Sequence, residues 1–281
     1  MPIHLSHYLN QFVIYFALPS LIFYNLPGLK LDLNLIRFAV MPWAHFVLSI
    51  VFFELIGRWR GWDRKVIGCL AITAGLGNTS FVGFPIIEAL YGSEGLKYAL
   101  VIDQGGSFPI VSTLGIIAAS YYSSSTESSR LVSTILKKIL LFPPFIASTI
   151  GLFLSLNEIN FPSSVSFIFK ILSMCLTPAA LISVGLRLRL DQILGEIRYL
   201  SLGLGFKLIL VPLFVIFAFG ELEIASLGRQ VLIMEAAMAP MITGTIVATN
   251  YGLRPRLSSA MIGLGIPLSF ITLTFWYFLI S

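Results

Sequence analysis

Polar breaks divide the chain into nine apolar runs, at residues 8–27, 38–57, 66–91, 96–121, 135–156, 163–186, 199–219, 230–251 and 258–280. A helix needs about 20 apolar residues to cross a hydrocarbon core about 30 Å thick, and each run reaches that length. None alternates with the period of two that a membrane barrel strand would show. Only helices and closed barrels satisfy every backbone group in lipid. The pattern therefore predicts an all-α polytopic membrane protein with about nine transmembrane helices. The connections are short, the longest being the Ser-rich stretch at 122–133. Residues 1–281 are thus expected to form a single transmembrane unit without a soluble domain.

Composition supports this reading. Hydrophobic residues make up 57% of the chain and charged residues 11%, against about 25% charged in soluble domains. The net charge of +5 does not point to nucleic acid, because the basic residues sit in loops, where they set membrane orientation. On the N-terminal side of the first span lie Arg58, Arg60, Arg64, Lys65, Arg130, Lys137, Lys138, Arg187, Arg189, Arg198, Arg254 and Arg256. The other side has Lys30, Arg37, Lys97 and Arg229. Twelve against four predicts a cytoplasmic N-terminus and an outside C-terminus in a plasma (inner) membrane. The first run lacks a basic leader and is long enough to span, so no signal peptide is expected. Cys69 and Cys175 lie inside apolar runs and read as small buried hydrophobes. The three histidines, His4, His7 and His45, are too scattered for a zinc motif.

The chain also matches itself at an offset near 160. Pro19–Ile22 and Leu29–Asp32 lie over Pro178–Leu181 and Leu188–Asp191, Tyr91-Gly92 over Tyr251-Gly252, and Gly105 over Gly265. Matched spans are five apart and so cross in opposite directions, the mark of an inverted repeat in secondary transporters. The expected division is residues 1–121 as a first repeat of four spans and 135–280 as a second of five. The fifth span has no partner, as in a five-plus-five arrangement without its first helix.

Two matched spans carry helix breakers. The third holds Gly75, Gly77, Asn78, Thr79, Ser80, Gly83 and Pro85; the eighth holds Glu235, Pro240, Thr243, Gly244 and Thr245. Proline removes an amide donor and glycine eases unusual dihedrals, while Asn, Thr and Ser offer polar groups to freed backbone, water or ligand. Such segments in corresponding spans point to a transporter's binding site. Breaks are expected over Asn78–Pro85 and Pro240–Thr245, meeting near the bilayer midplane. The GxG fragments at Gly75, Gly203 and Gly263 lie in apolar spans and read as packing contacts.

Residues 77–85, GNTSFVGFP, followed by Tyr91-Gly92, resemble the signature of the auxin efflux carrier family, which includes plant PIN-type auxin exporters and bacterial permeases for malonate and similar acids. Glu235–Pro240 and Asn250–Gly252 resemble its matching C-terminal segment. The resemblance implies an inverted-repeat transporter fold with two broken, crossing helices, as in sodium/proton antiporters and bile-acid carriers. It also implies the family's usual first helix is missing here.

Charged groups within spans are costly and mark function by default. Asp103, next to Gln104 and two glycines, either binds a coupling cation or proton or caps freed amides. Glu235 is a comparable candidate. Lys207, mid-span, either meets a substrate carboxylate or pairs with Glu235 or Asp103. Lys170 and Glu54 are expected to snorkel to the interfaces; Glu88 and His45 receive no role. The substrate- or ion-binding set is therefore Asn78, Thr79, Ser80, Pro85, Asp103, Gln104, Lys207, Glu235, Pro240, Thr243 and Thr245. The expected function is secondary active transport of a small organic anion by alternating access. H+ or Na+ is the coupling ion, with Na+ near Asp103 and Glu235, and a homodimer is the expected assembly. A sodium-coupled bile-acid-type symporter is the alternative reading, and a channel a lesser one. No HExxH, Ser/His pairing or facing aspartate pair suggests an enzyme.

Overall fold

The structure is a computed structural model that describes residues 11–27, 33–123, 140–176, 194–219 and 226–281, with isolated residues between them. Lys30, Arg130, Lys138, Arg187, Arg189, His4, His7 and the Leu29–Asp32 and Leu188–Asp191 match lie outside the described residues.

The regular elements among the described residues are all helical, with no strand. The helices are α1 (Val13–Asn25), α2 (Arg37–Trp59), α3 (Arg64–Gly75), α4 (79–91), α5 (93–123), α6 (Pro143–Leu156), α7 (Ser163–Met174), α8 (Ile197–Phe219), α9 (Ser226–Ala236), α10 (Ile242–Asn250) and α11 (Pro255–Ile280). Each of the nine apolar runs contains helix. The third and eighth are split, giving the pairs α3/α4 and α9/α10. The 23 residues of α2 and of α8 and the 26 of α11 are long enough to cross the hydrocarbon core at 1.5 Å per residue.

Local chemistry explains most helix ends. Asp63 caps α3 by accepting from the Lys65 amide at 2.8 Å, satisfying a donor that the first turn leaves orphaned. Helix α6, in the fifth apolar run, begins at Pro143. Phe142 before it is extended, because the residue preceding a proline is pushed out of the helical region while proline itself fits the first turn. Between α4 and α5 the chain reverses at Gly92, with φ +66°, a conformation that favours glycine.

Two packed groups result. Helix α1 lies against α6 and α7, with Leu26 fitted against Gly151 at the distance a close helix approach requires. The second group contains α2–α5 and α8–α11. Its two halves are pinned by Phe52 and Phe53 of α2 packed against Phe206 of α8, tilted and edge-on, with ring centroids 4.6 and 5.1 Å apart. Large apolar side chains such as Phe217, Ile271 and Phe278 point outward, as lipid-facing positions do. The chain is an all-α polytopic membrane protein.

Candidate functional site

The two split spans meet. Gly77 and Pro240 form an isolated antiparallel bridge. The Asn78 amide donates to the Ala239 carbonyl at 2.8 Å, and the Met241 amide to the Leu76 carbonyl at 3.0 Å. Backbone freed where each helix stops is thus satisfied by the other, as buried polar backbone must be. Gly77 makes the approach feasible: a Cβ there would sit 3.3 Å from the Glu235 carbonyl oxygen and 3.4 Å from Lys207 Nζ.

The breaks are shifted from the predicted ones. The unwound residues are 76–78 and 237–241, rather than Asn78–Pro85 and Pro240–Thr245. Helix resumes at Thr79 as a π-turn, with the Gly83 amide bonded to the Asn78 carbonyl at 2.9 Å. Pro85 follows near the start of the α-helical part, where its missing amide costs little. Thr243 and Thr245 lie in the first turns of α10. Pro240 alone among the two prolines sits in a break.

Four half-helix ends therefore converge inside the second group. The N-termini of α4 and α10 carry partial positive charge and the C-termini of α3 and α9 partial negative charge. Each negative end has a donor. Lys207 Nζ, wholly buried, donates to the Ala236 carbonyl at the end of α9 at 2.7 Å. His45 Nε2–H donates to the Ala74 carbonyl at the end of α3 at 2.9 Å. The steps from 45 to 207 and from 74 to 236 are both 162 residues, so the two contacts occupy matching places in the two halves. His45 is a residue the sequence left without a role. Only its distance from Lys207 along the chain could have signalled it.

Asp103 sits against the start of α4. Its Oδ1 accepts from Thr79 Oγ1 at 2.5 Å and Ser80 Oγ at 2.9 Å, and its Oδ2 accepts from Gln104 Nε2 at 2.7 Å. A carboxylate with three donors at a helix N-terminus is well placed as an anion. Glu235 has the opposite surroundings. It is buried on the last turn of α9, and neither carboxyl oxygen has a hydrogen-bond partner. A Cβ added to Gly83 would lie 2.6 Å from Glu235 Oε2, so the glycine leaves the space that the carboxyl fills. Lys207 does not form an ion pair with Glu235 or Asp103; its donor goes to backbone. Asn78 Nδ2 and Thr245 Oγ1 are likewise buried without partners. Glu54 accepts from Arg58 Nε at 2.7 Å and from Tyr122 Oη at 2.7 Å.

A narrow space of about 10 Å³ adjoins the crossing, lined by Leu18, Ile22, Ser80, Asp103, Gln104 and Thr243 among others. That is room for about one water. It runs between α1 with the start of α6 on one side and the crossing helices on the other. Of the predicted residues, Ser80, Asp103, Gln104 and Thr243 face this seam. Lys207 and Glu235 lie behind it.

Comparison with known proteins gives a consistent result. A family profile described as Membrane transport protein matches residues 5–277. An uncharacterized transporter of Methanothermobacter thermautotrophicus is 30% identical over 271 residues, 95% of this chain and 87% of the relative. One from Methanocaldococcus jannaschii is 27% identical over 277 residues, with the same shares. An uncharacterized transporter of Escherichia coli K12 is 22% identical, over 96% of this chain and 87% of the relative.

Proposed function

The chain belongs to the membrane transport protein family, that of the auxin efflux carriers, and from that premise we propose that it carries a small organic anion by alternating access at the helix crossing. The observation that carries the proposal is the backbone bridge between Gly77 and Pro240 beside a narrow seam. Half-helix N-termini bind carboxylates well, because orphan amides and the helix dipole both favour negative charge. The start of α4 is already occupied by Asp103. The start of α10, with Thr243 beside the seam, is the end left for a substrate carboxylate. Sliding of the α1/α6/α7 group against the crossing would open the seam to one face and then the other.

The matched His45 and Lys207 contacts support an inverted repeat, as does the shared φ of +66° at Gly92 and Gly252. The twelve-to-four count of basic loop residues supports a cytoplasmic N-terminus, in a plasma membrane on this reading. Glu235 is the group best placed to take a coupling ion. A buried carboxyl without donors must hold a proton or a cation, or bear a large desolvation cost. Asp103 already has three donors and acts on this reading by ordering Thr79 and Ser80.

Counterflow in proteoliposomes tests the function. Preloaded small mono- and dicarboxylates should drive uptake of a labelled carboxylate that saturates with concentration. An absence of exchange for every carboxylate, or flux that rises linearly without saturation, would sink the carrier reading. The bile-acid-type alternative rests on the same unpartnered Glu235. It predicts that external sodium is needed for uptake, whereas proton coupling predicts uptake that follows a pH gradient without sodium.

A further inference from the structure

The loop joining α2 to α3 reads Arg58-Trp-Arg-Gly-Trp-Asp-Arg-Lys65, four cations and one anion around two indoles. In the structure it borders an open groove of about 400 Å³ on the outer surface, lined by Glu54, Arg58, Trp62, Arg64 and Tyr121 among others. The charges there are not balanced. Glu54 is taken by Arg58, at 2.6 Å, and by the Tyr122 hydroxyl. Arg64 has no carboxylate partner among the described residues. It donates through Nη2 to the Tyr121 carbonyl at 2.8 Å and stacks over the Tyr121 ring at 4.6 Å, which leaves most of its guanidinium donors free. The Trp62 indole N–H lines the same place, buried, with no acceptor. A cationic fork with a neighbouring unused donor fits a phosphate oxyanion.

The surroundings indicate where the phosphate comes from. Val47, Val51, Leu55 and Trp59 recur every fourth residue on α2 and are all exposed, forming an apolar ridge that ends beside Arg58. On α5, Ile117 and Tyr121 are exposed one turn apart and end beside Arg64. Exposed apolar ridges that run up to a basic, aromatic rim describe a helix surface at the boundary of hydrocarbon and headgroups. None of these groups belongs to the crossing.

We propose that this groove binds an anionic phospholipid, its headgroup phosphate held by Arg58 and Arg64 and its acyl chains laid along the exposed ridges of α2 and α5. Trp59 and Tyr121 would flank the glycerol region.

The test uses the full chain, delipidated in detergent, with bound lipid counted by native mass spectrometry. The probes are phosphatidylglycerol and phosphatidylcholine of equal chain length. Phosphatidylglycerol should bind more tightly. Arg58→Gln with Arg64→Gln should weaken it about five-fold per guanidinium, about 25-fold together, from the usual contribution of a cation near an anionic surface, with phosphatidylcholine unchanged. Arg229→Gln should leave the preference intact, since Gly228 packs on Phe38 at the far end of α2. Should the double variant not purify, Arg64→Gln alone must still lower the preference about five-fold. Equal affinity for the two lipids, or an unchanged preference in the double variant or in Arg64→Gln, overturns the proposal. Glycerol phosphate, which has the charge without chains, should compete poorly. Competition as effective as phosphatidylglycerol's would assign the groove to a soluble anion and overturn the lipid reading.

Discussion

Lys207 and His45 show how a single side chain can hold a split helix together. Each donates to a carbonyl at the end of a half-helix, and each is buried. The carbonyls would otherwise be unpaired in a water-free interior, at a cost of about 1–3 kcal/mol each. Lys207→Met keeps the length and apolar stem but removes the donor. It should lower thermal stability in detergent by about that amount and abolish counterflow, while His45→Gln, which can still donate, should retain measurable exchange. Wild-type stability in Lys207→Met would mean that the Ala236 carbonyl needs no partner. The sequence made Lys207 conspicuous because a charge in an apolar span is expensive. It could not show that the partner would be backbone rather than Glu235, since that depends on where α9 ends. His45 was invisible for the opposite reason: a lone, mostly neutral imidazole in an apolar run has no local signal.

At the scale of helices, hydrophobic run length was enough to place helix in all nine segments, because lipid leaves the backbone few alternatives. The ends were less legible. Pro85 drew the predicted break toward itself, but proline is harmless near the start of a helix, whereas the actual crossing is set by the absence of a Cβ at Gly77. That constraint comes from α9, more than 150 residues away, and leaves no local pattern. Gly92 and Gly252 give a sharper test of local conformation. Both have φ of +66°, and a Cβ at either would meet nothing within 4 Å. Alanine at either must take a positive φ, and at Gly92 the accompanying ψ of −165° is one that glycine alone adopts readily, a strain of about 1–3 kcal/mol. Gly92→Ala and Gly252→Ala should therefore each lower stability by a similar amount in thermal unfolding, with substrate preference in counterflow unchanged. A loss confined to one of the two would mean that the two turns are not equivalent.

For the whole molecule, the proposed transport cycle has the two packed groups move past each other, and the seam that separates them holds about one water's volume. Leu18 and Ile22 line it from α1, and Thr243 lines it from α10, so a covalent link across these residues opposes any sliding between the groups. The experiment needs Cys175→Ser first, because Cys175 is exposed and Cys69 is buried. With cysteines at Ile22 and Thr243, a short cleavable bis-thiol reagent should stop counterflow, and reduction of the linker should restore it. The reagent applied to either single-cysteine variant controls for simple blockage of the seam. If the doubly linked protein exchanged substrate at the unlinked rate, the α1/α6/α7 group and the crossing would move as one body. The carrier would then have to open by local unwinding at residues 76–78 and 237–241, where backbone is already free of helix. A bond that fixes Asn78 to Ala239 side by side would separate those routes, because it restrains the unwound segments and leaves the seam untouched.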